Sequence, residues 1–392
     1  MSILSRFRHA QRHYSTVLSP NSSTPLTSKQ KSQKALHLLK TETNPERILE
    51  ICRAASLTPL SFMDRRAFSL AISKLSAANH FDGIRQYLDE LKSRPDLAND
   101  HRFLSHAIVL YGQAKMLDHA IRTFDTDLKS PRSVKSLNSL LLASLLAKNY
   151  KEVSRIYLEF PKIYSIKPDV DTYNVVIKAF AESGSSSSLY SVLDEMDRNS
   201  VKPNTTTLNN SIEGFYRERK LEEVGKFLKL MEERYRLLPA LSTYNVRIQG
   251  LCKLKRSSEA KALVEGMLSS GEKINALSYS ILIRGFCVEG NTVEAMNLFR
   301  EMKKKGYPPD AECYFTLVYF LCQGGDFESA LKVARECMKK DWFPNFTTMK
   351  SLVNGLVGVS KVDDAKEVIK QMKEKFSEKS DMWDEVEAGL PQ

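Results

Sequence analysis

The residue types that most often carry enzyme chemistry are few in this chain and are poorly spaced for it. All seven histidines lie at or before His119. No glycine-rich phosphate loop of the Walker type occurs. No two cysteines form the C-x-x-C pair of many zinc and redox sites; the cysteines are Cys52, Cys252, Cys287, Cys313, Cys322 and Cys337. The sequence therefore predicts no metal, no cofactor and no catalytic residue, and it favours reduced, packed thiols over a disulfide framework.

Basic residues are the other chemically informative group. The net charge of the 392-residue chain is +11, and its pI is near 9.2. Seven of these net charges fall in residues 1–41, which contain no Asp or Glu. The rest of the chain is only weakly basic, so charge alone is weak evidence for a polyanion partner. Lysine runs at 303–305 and 339–340 are typical of solvated helix ends, with phosphate contact as the alternative.

The first residues have the composition of an organelle-targeting peptide. Serines and arginines are frequent, acids are absent, and Ile3, Leu4 and Phe7 fall on one side of a helix. The segment Arg12-His13-Tyr14-Ser15 resembles a mitochondrial processing site. We expect residues 1–14 to be a presequence and the destination to be the mitochondrial matrix, with the chloroplast less favoured. A disordered basic tail is the alternative. No run approaches the roughly 18–20 apolar residues of a membrane span.

A period of 35 residues organises the remainder of the chain. Cysteine recurs at 252, 287 and 322, and tyrosine at 244, 279 and 314. Alanine recurs at 260, 295, 330 and 365, and methionine at 267, 302 and 372 with Cys337 between. Four residue types in one register indicate an internal repeat.

Each period has the pattern of two helices. Apolar residues lie at helical spacing from Tyr279 to Cys287 and again from Ala295 to Met302. Gly290-Asn291 separates the two stripes, and Gly306 with the following prolines ends the second. One hairpin cannot bury both stripes alone, so stacked neighbours must. The predicted fold class is all-α, a right-handed superhelical solenoid of helix-turn-helix repeats.

The period divides the chain into one array without a second domain. Residues 15–64 are expected to hold a flexible leader and capping helices, and residues 381–392 a tail. The predicted repeats are 65–100, 101–133, 134–169, 170–204, 205–240, 241–275, 276–310, 311–345 and 346–380.

Short motifs recur in register inside these repeats. They include Thr172-Tyr173-Asn174, Thr243-Tyr244-Asn245, Gly250-Leu251-Cys252-Lys253 and Phe299-Arg300-Glu301-Met302. A tetratricopeptide repeat would have 34 residues and a different Trp/Gly/Tyr/Ala/Pro pattern. The motifs instead strongly resemble the pentatricopeptide repeat family, well over residues 134–380 and weakly over 65–133. In its short length and its lack of a catalytic tail, the chain resembles the small ribosome-associated family members of plant mitochondria.

The resemblance implies recognition of single-stranded RNA, one nucleotide per repeat. The fifth residue of a repeat and its last residue would together read one base. Ala240 and Phe315 fall outside the family's code, and helix capping is the alternative role of the matching residues. The pairs are Asn138 with Asp169, Asn174 with Asn204, Asn209 with Ala240, Asn245 with Asn275, Ser280 with Asp310, and Phe315 with Asn345.

One position departs from the family pattern. The second residue of each repeat is usually small and apolar and sandwiches the base. Here only Leu277 fits; the others are Lys135, Asp171, Thr206, Ser242 and Glu312. Because stacking supplies about 1–3 kcal/mol per base in single-strand binders, tight reading of a long strand is not expected.

The resemblance also bears on enzyme activity and partners. The family's editing deaminases need H-x-E and C-x-x-C, and its nucleases need a further domain. Neither fits here, so we expect a non-enzyme without a small-molecule substrate or a membrane partner. Three functions compete: a mitochondrial ribosome-associated protein contacting ribosomal RNA, a factor protecting or exposing one mRNA site, and a protein–protein scaffold. The sequence favours the first, with ribosomal proteins as further partners.

Overall fold

The computed structural model describes residues 27–56, 65–128, 132–376 and 380–390. Throughout these ranges every regular element is a helix, and none is a strand. The all-α class predicted from the sequence is confirmed. The predicted presequence, residues 1–14, lies outside the described residues. No helix in the described part is long and apolar enough to cross a membrane.

The described residues divide into two compact units, the first ending at Pro203 and the second beginning at Asn204. The helices described in the first unit are α1 (Ser28–Thr41), α2 (Pro45–Ser56), α3 (Arg65–Ala77), α4 (Phe81–Lys92), α5 (His101–Gln113), α6 (Leu117–Arg122, continued by a π-helical turn Thr123–Asp127), α7 (Val134–Leu146), α8 (Tyr150–Ile163), α9 (Val170–Ser183) and α10 (Leu189–Arg198).

The described part of the second unit continues the pattern of paired helices. Its helices are α11 (Thr205–Arg217), α12 (Leu221–Tyr235), α13 (Leu241–Lys253), α14 (Ser257–Ser269), α15 (Ala276–Val288), α16 (Thr292–Lys304), α17 (Ala311–Gln323), α18 (Phe327–Met338), α19 (Phe346–Gly358), α20 (Val362–Lys375) and α21 (Ser380–Ala388). From α11 onwards the first helices of the pairs begin at steps of 35 or 36 residues. The exact repeat boundaries stay a prediction.

Inside each unit the first helices of successive pairs pack side by side, and each second helix packs on its own first helix. The apolar stripes predicted from the period are buried: Tyr279 and Phe286 on α15, and Leu298 and Met302 on α16. The ring of Phe299 on α16 meets Tyr314 on α17 edge-on, with centroids 5.2 Å apart. Each hairpin thus buries its apolar residues against the next, as a repeat array requires.

The turn between the two helices of a pair needs one residue in the left-handed region. In the second unit φ is +59° at Lys255, +81° at Gly290, +77° at Gly325 and +61° at Ser360. These residues are spaced by exact periods of 35. Glycine adopts this conformation freely, whereas Lys255 and Ser360 adopt it at a cost. The array therefore imposes the turn even where the sequence lacks a turn signal.

The segment expected to be a C-terminal tail contains a helix. Residues 380–388 form α21, which packs on α20. The Trp383 side chain is buried, and its ring lies 4.9 Å from that of Phe346 on α19. An aromatic side chain removed from water stabilises such a helix by covering the last pair. One buried aromatic residue leaves no repeating apolar pattern, so the sequence alone does not predict this helix.

Candidate nucleic-acid interface

The predicted pair Asn138 and Asp169 is brought into direct contact in the first unit. Asn138 is the fifth residue of α7, and its amide nitrogen donates to an Asp169 carboxylate oxygen at 2.9 Å. Asp169 is the N-cap of α9 and accepts a hydrogen bond from the Thr172 backbone N–H. The Thr172 hydroxyl lies 2.6 Å from the Asn138 amide oxygen. A capping box thereby fixes both predicted RNA-binding residues at one place.

This contact changes the acidity of Asp169. Burial raises the pKa of the Asp169 carboxyl. Hydrogen bonds from the Asn138 side chain and from Thr172 lower this pKa by a larger amount. The net pKa lies below the ordinary value, because the donors stabilise the charged form. Asp169 is therefore an ionised acceptor at neutral pH.

The second unit repeats this arrangement around Ser278. Asn275 is the N-cap of α15, and Ser278 is the third residue of that helix. The Ser278 hydroxyl lies 2.7 Å from the Asn245 amide oxygen and 3.0 Å from the Asn275 amide oxygen. Asn245 is only 7% exposed. Its amide oxygen is engaged, so the amide nitrogen is the group that can meet a base.

The pair Ser280 and Asp310 lines an open cavity of about 580 Å³ in the second unit. Asp310 caps α17 and accepts from the Cys313 backbone N–H at 2.8 Å. Leu277, at the sandwiching position, also lines the cavity and is 55% exposed. Arg284 lines it as well. An apolar side chain, two polar acceptors and the Arg284 cation thus line one space.

The remaining predicted RNA-binding residues are Asn174, Asn204 and Asn209. Asn174 is buried in the first unit, whereas Asn204 caps α11 in the second, so their pairing stays a prediction. Asn209 donates to the Ser242 hydroxyl at 3.3 Å. Its amide oxygen is buried and has no hydrogen-bond partner among the described residues. A ligand that donates a hydrogen bond there would satisfy it.

Basic residues extend from the first cavity into a second of about 420 Å³. Gln249 and Lys253 line both. The five cations of the combined lining exceed its three acids, which gives the surface a positive balance suited to a polyanion. The cations are Arg217, Arg219, Lys253, Lys255 and Arg284, and the acids are Glu213, Asp310 and Glu312.

Two lysines of the run at 303–305 form ion pairs with acids of the protein. Lys303 pairs with Glu336 on α18 at 2.8 Å, and Lys305 with Glu301 at 2.7 Å. Ion pairing at a helix end explains these two lysines without a phosphate ligand.

The cysteines predicted to be packing residues are free and buried. Burial raises the pKa of Cys287 and Cys322 to about 12 and that of Cys252 to about 11. Thiols with such high pKa values are poor nucleophiles and poor metal ligands. Within the described ranges no group of three His, Cys, Asp or Glu residues could hold a metal ion.

The repeat pattern alone does not mark the residues that connect each pair. Thr172 and Ser278 carry the linking hydroxyls, and Arg284 projects into the cavity beside Ser280. The capping-box spacing, in which a hydroxyl follows an N-cap residue by three positions, was the available signal for the first two. Nothing local marks Arg284, whose partner Glu312 is 28 residues away.

Comparison with known proteins decides which repeat this is. A mitochondrial pentatricopeptide repeat-containing protein of Arabidopsis thaliana is 52% identical over 370 residues, covering 93% of this chain and 91% of the relative. The chain belongs to the pentatricopeptide repeat family. Family profiles agree: the PPR repeat family matches residues 168–217, 239–288 and 282–323, the pentatricopeptide repeat domain 132–183, and the PPR repeat 347–375.

Two further similar proteins have lower sequence identity to this chain. The small ribosomal subunit protein mL103 of Arabidopsis thaliana is 29% identical over 375 residues, covering 94% of this chain and 90% of the relative. The crystal structure of the pentatricopeptide repeat protein PPR10 from maize covers 97% of this chain and 68% of its own, at 14% identity and a TM-score of 0.44.

Proposed function

We propose that this pentatricopeptide repeat protein is a non-enzymatic RNA-binding protein of mitochondrial gene expression, associated with the mitochondrial ribosome and in contact with ribosomal RNA. The observation that carries the proposal is the cavity where Ser280 and Asp310 lie with Leu277 and Arg284. A nucleobase offers flat apolar faces and a polar edge, and a phosphate offers negative charge. The cavity supplies a counterpart for each.

The other predicted pairs extend this role to neighbouring nucleotides. By the family's code, Asn138 with Asp169 would read uracil. Asn174 with Asn204, and Asn245 with Asn275, would each read a pyrimidine, and Ser280 with Asp310 would read guanine. Asn209 has no matching partner and would accept any base. These assignments rest on the resemblance, and the contacts through Thr172 and Ser278 support them by holding the pairs in place.

The residues at the sandwiching position favour weak rather than tight binding of RNA. Lys135, Asp171, Ser242 and Glu312 occupy it and are exposed. Polar side chains there forgo most of the stacking energy that a long strand needs. Phosphate contacts and neighbouring proteins must then supply much of the affinity, as on a ribosome.

Two observations support association with the ribosome and a mitochondrial location. A relative that matches nearly the whole chain is named a small ribosomal subunit protein. The relative at 52% identity is named mitochondrial, which agrees with the Arg-rich leader. We further propose the matrix as the site of action, with Ser15 as the first residue of the mature chain.

Sedimentation of the endogenous protein tests this proposal. Mitochondrial lysates are run on sucrose gradients with magnesium, with EDTA, and after RNase treatment. We expect co-sedimentation with a ribosomal subunit that persists when EDTA separates the subunits and is lost after RNase. A protein that stays at the top of every gradient would contradict ribosome association.

A dedicated transcript factor is the second candidate. The Ser280–Asp310 cavity is open to a free strand, which favours this function if the affinity is high. Nanomolar binding of a single-stranded target in physiological salt would place it ahead of the ribosomal role.

A further inference from the structure

The ion pair between Arg284 and Glu312 occupies an unusual place. Arg284 lies on α15 and Glu312 is the second residue of α17, and their side chains meet at 2.9 Å. Both side chains are well exposed, at 64% and 74%. Exposed pairs contribute little to stability. The fold therefore does not account for a planar cation held at this position.

The surroundings of the pair suggest what it does. Leu277, Ser280, Ile281 and Arg284 are spaced i, i+3, i+4 and i+7 on α15, so they share one face, and all line the cavity of about 580 Å³. Leu277 and Arg284 stand about 10 Å apart along the helix axis. A base stacked on both needs about 7 Å, twice the ~3.4 Å stacking distance. The Arg284 side chain is long and leans towards the N-terminus of α15, where Leu277 lies, and this shortens the separation.

We propose that the Arg284 guanidinium, positioned by Glu312, forms one face of a slot for a purine base, with Leu277 as the opposite face. Ser280 and Asp310 lie at the polar edge of that slot. This inference rests on the proposed RNA-binding function and adds a specificity residue outside the predicted pairs. A guanidinium plane stacks on nucleobases through its flat face and its charge. Glu312 occupies the position that usually carries an apolar sandwiching residue. Here it does not stack on the base itself but holds the Arg284 guanidinium that does.

The charge arrangement favours stacking over a simple phosphate contact. Glu312 offsets the charge of Arg284 and fixes the guanidinium near the base-reading residues. Lys253 and Lys255 line the same cavity and carry compact ammonium groups better suited to phosphate oxygens. The two kinds of cation thus have different tasks in one cavity.

A cycle between protein and RNA variants tests the proposal. Full-length protein is titrated with a labelled single-stranded RNA carrying the U, pyrimidine, any, pyrimidine, G order, and with the same RNA made abasic at the G position. We expect Arg284→Ala to weaken binding of the first RNA about tenfold and of the abasic RNA less than twofold. Arg284→Lys should lose nearly as much as Arg284→Ala, since it keeps the charge but not the plane. Glu312→Ala should cost several-fold on the guanine RNA only.

Arg300→Ala is the matched control, because Arg300 is an exposed arginine on the second helix α16. It should leave both RNAs within twofold of wild type, and thermal unfolding should be unchanged in all variants. An equal loss by Arg284→Ala on both RNAs would assign Arg284 to phosphate and overturn the inference while leaving RNA binding intact. An unchanged affinity would also overturn it. A wild-type protein that binds neither RNA would overturn the proposed function and this inference together.

Discussion

Asn138 donates a hydrogen bond of 2.9 Å to Asp169, from the first helix of one pair to the cap of the next first helix. The same two residues were predicted to read one base together. In the free protein they satisfy each other, so a base must compete with an existing hydrogen bond. Such competition reduces the net gain on binding and makes discrimination depend on how well the base replaces the contact.

The contact makes a prediction about acidity. Asn138→Ala should raise the pKa of Asp169 towards its ordinary value, because one donor to the charged form is lost. A lowered folded-state pKa contributes stability above the unfolded value of about 3.9 that is lost as pH falls through the folded value. The destabilisation by Asn138→Ala should therefore be largest near neutral pH and shrink in acid. NMR titration of the Asp169 carboxyl carbon measures this; an unmoved pKa, as expected for the remote control Asn297→Ala, would contradict it.

Base preference should depend on the fifth residues. If the repeats, taken from the N- to the C-terminus, face RNA bases from 5′ to 3′, the preferred base order is U, pyrimidine, any, pyrimidine, G. Replacing Asn138, Asn174, Asn245 and Ser280 together with Ala should flatten this preference. It should cost less total affinity than Arg217→Glu with Lys253→Glu, because phosphate contacts dominate and give a steep salt dependence.

Competition binding with permuted RNAs gives the readout. The double variant Ser269→Ala/Asn297→Ala, on second helices, serves as a control for surface polarity. Wild-type discrimination below about threefold, roughly 0.65 kcal/mol, would show that the base assignments are wrong.

Close helix packing makes a prediction for glycine. Gly112 on α5 faces the backbone of Ala143 on α7, and a Cβ at position 112 would lie 2.2 Å from the Ala143 Cα atom. Gly112→Ala should therefore destabilise the protein by about 1–3 kcal/mol, since one helix must move. Gly225 on α12 has open space around it, so Gly225→Ala should stabilise by about 0.5–1 kcal/mol through helix propensity. Thermal unfolding of both variants decides; equal shifts would refute the packing account.

The left-handed turn makes a further prediction. Lys255→Gly should stabilise the protein by about 0.5–1 kcal/mol, because relief of strain at φ +59° exceeds the entropy that glycine adds to the unfolded chain. Gly290→Lys should do the reverse. Lys229→Gly, in the exposed interior of α12, should destabilise by about 1 kcal/mol and controls for loss of a lysine. Chemical unfolding measures all three, and a destabilised Lys255→Gly variant would be inconsistent with strain.

The period predicted much of this fold and only part of the site. Gly290 and Gly306 marked helix ends, and both have a φ of +81°. Lys255 adopts the same turn without any local signal, because its neighbours in the array impose it. The spacing of Ser280 and Asp310 followed from the repeat. The contact of Arg284 with Glu312 did not, since it depends on side-chain reach between α15 and α17. Burial of Trp383 could not be predicted from the sequence, because a single aromatic residue produces no periodic pattern.

The proposed function requires that this pentatricopeptide repeat protein contact RNA inside mitochondria as a partner of the ribosome. This contact can be measured by ultraviolet cross-linking in intact mitochondria, followed by purification of the protein and sequencing of the attached RNA. We expect ribosomal RNA to be recovered well above the non-irradiated control, with cross-links confined to a short segment. Recovery of no RNA above that control would contradict RNA binding, and recovery of messenger RNA alone would contradict the ribosomal role.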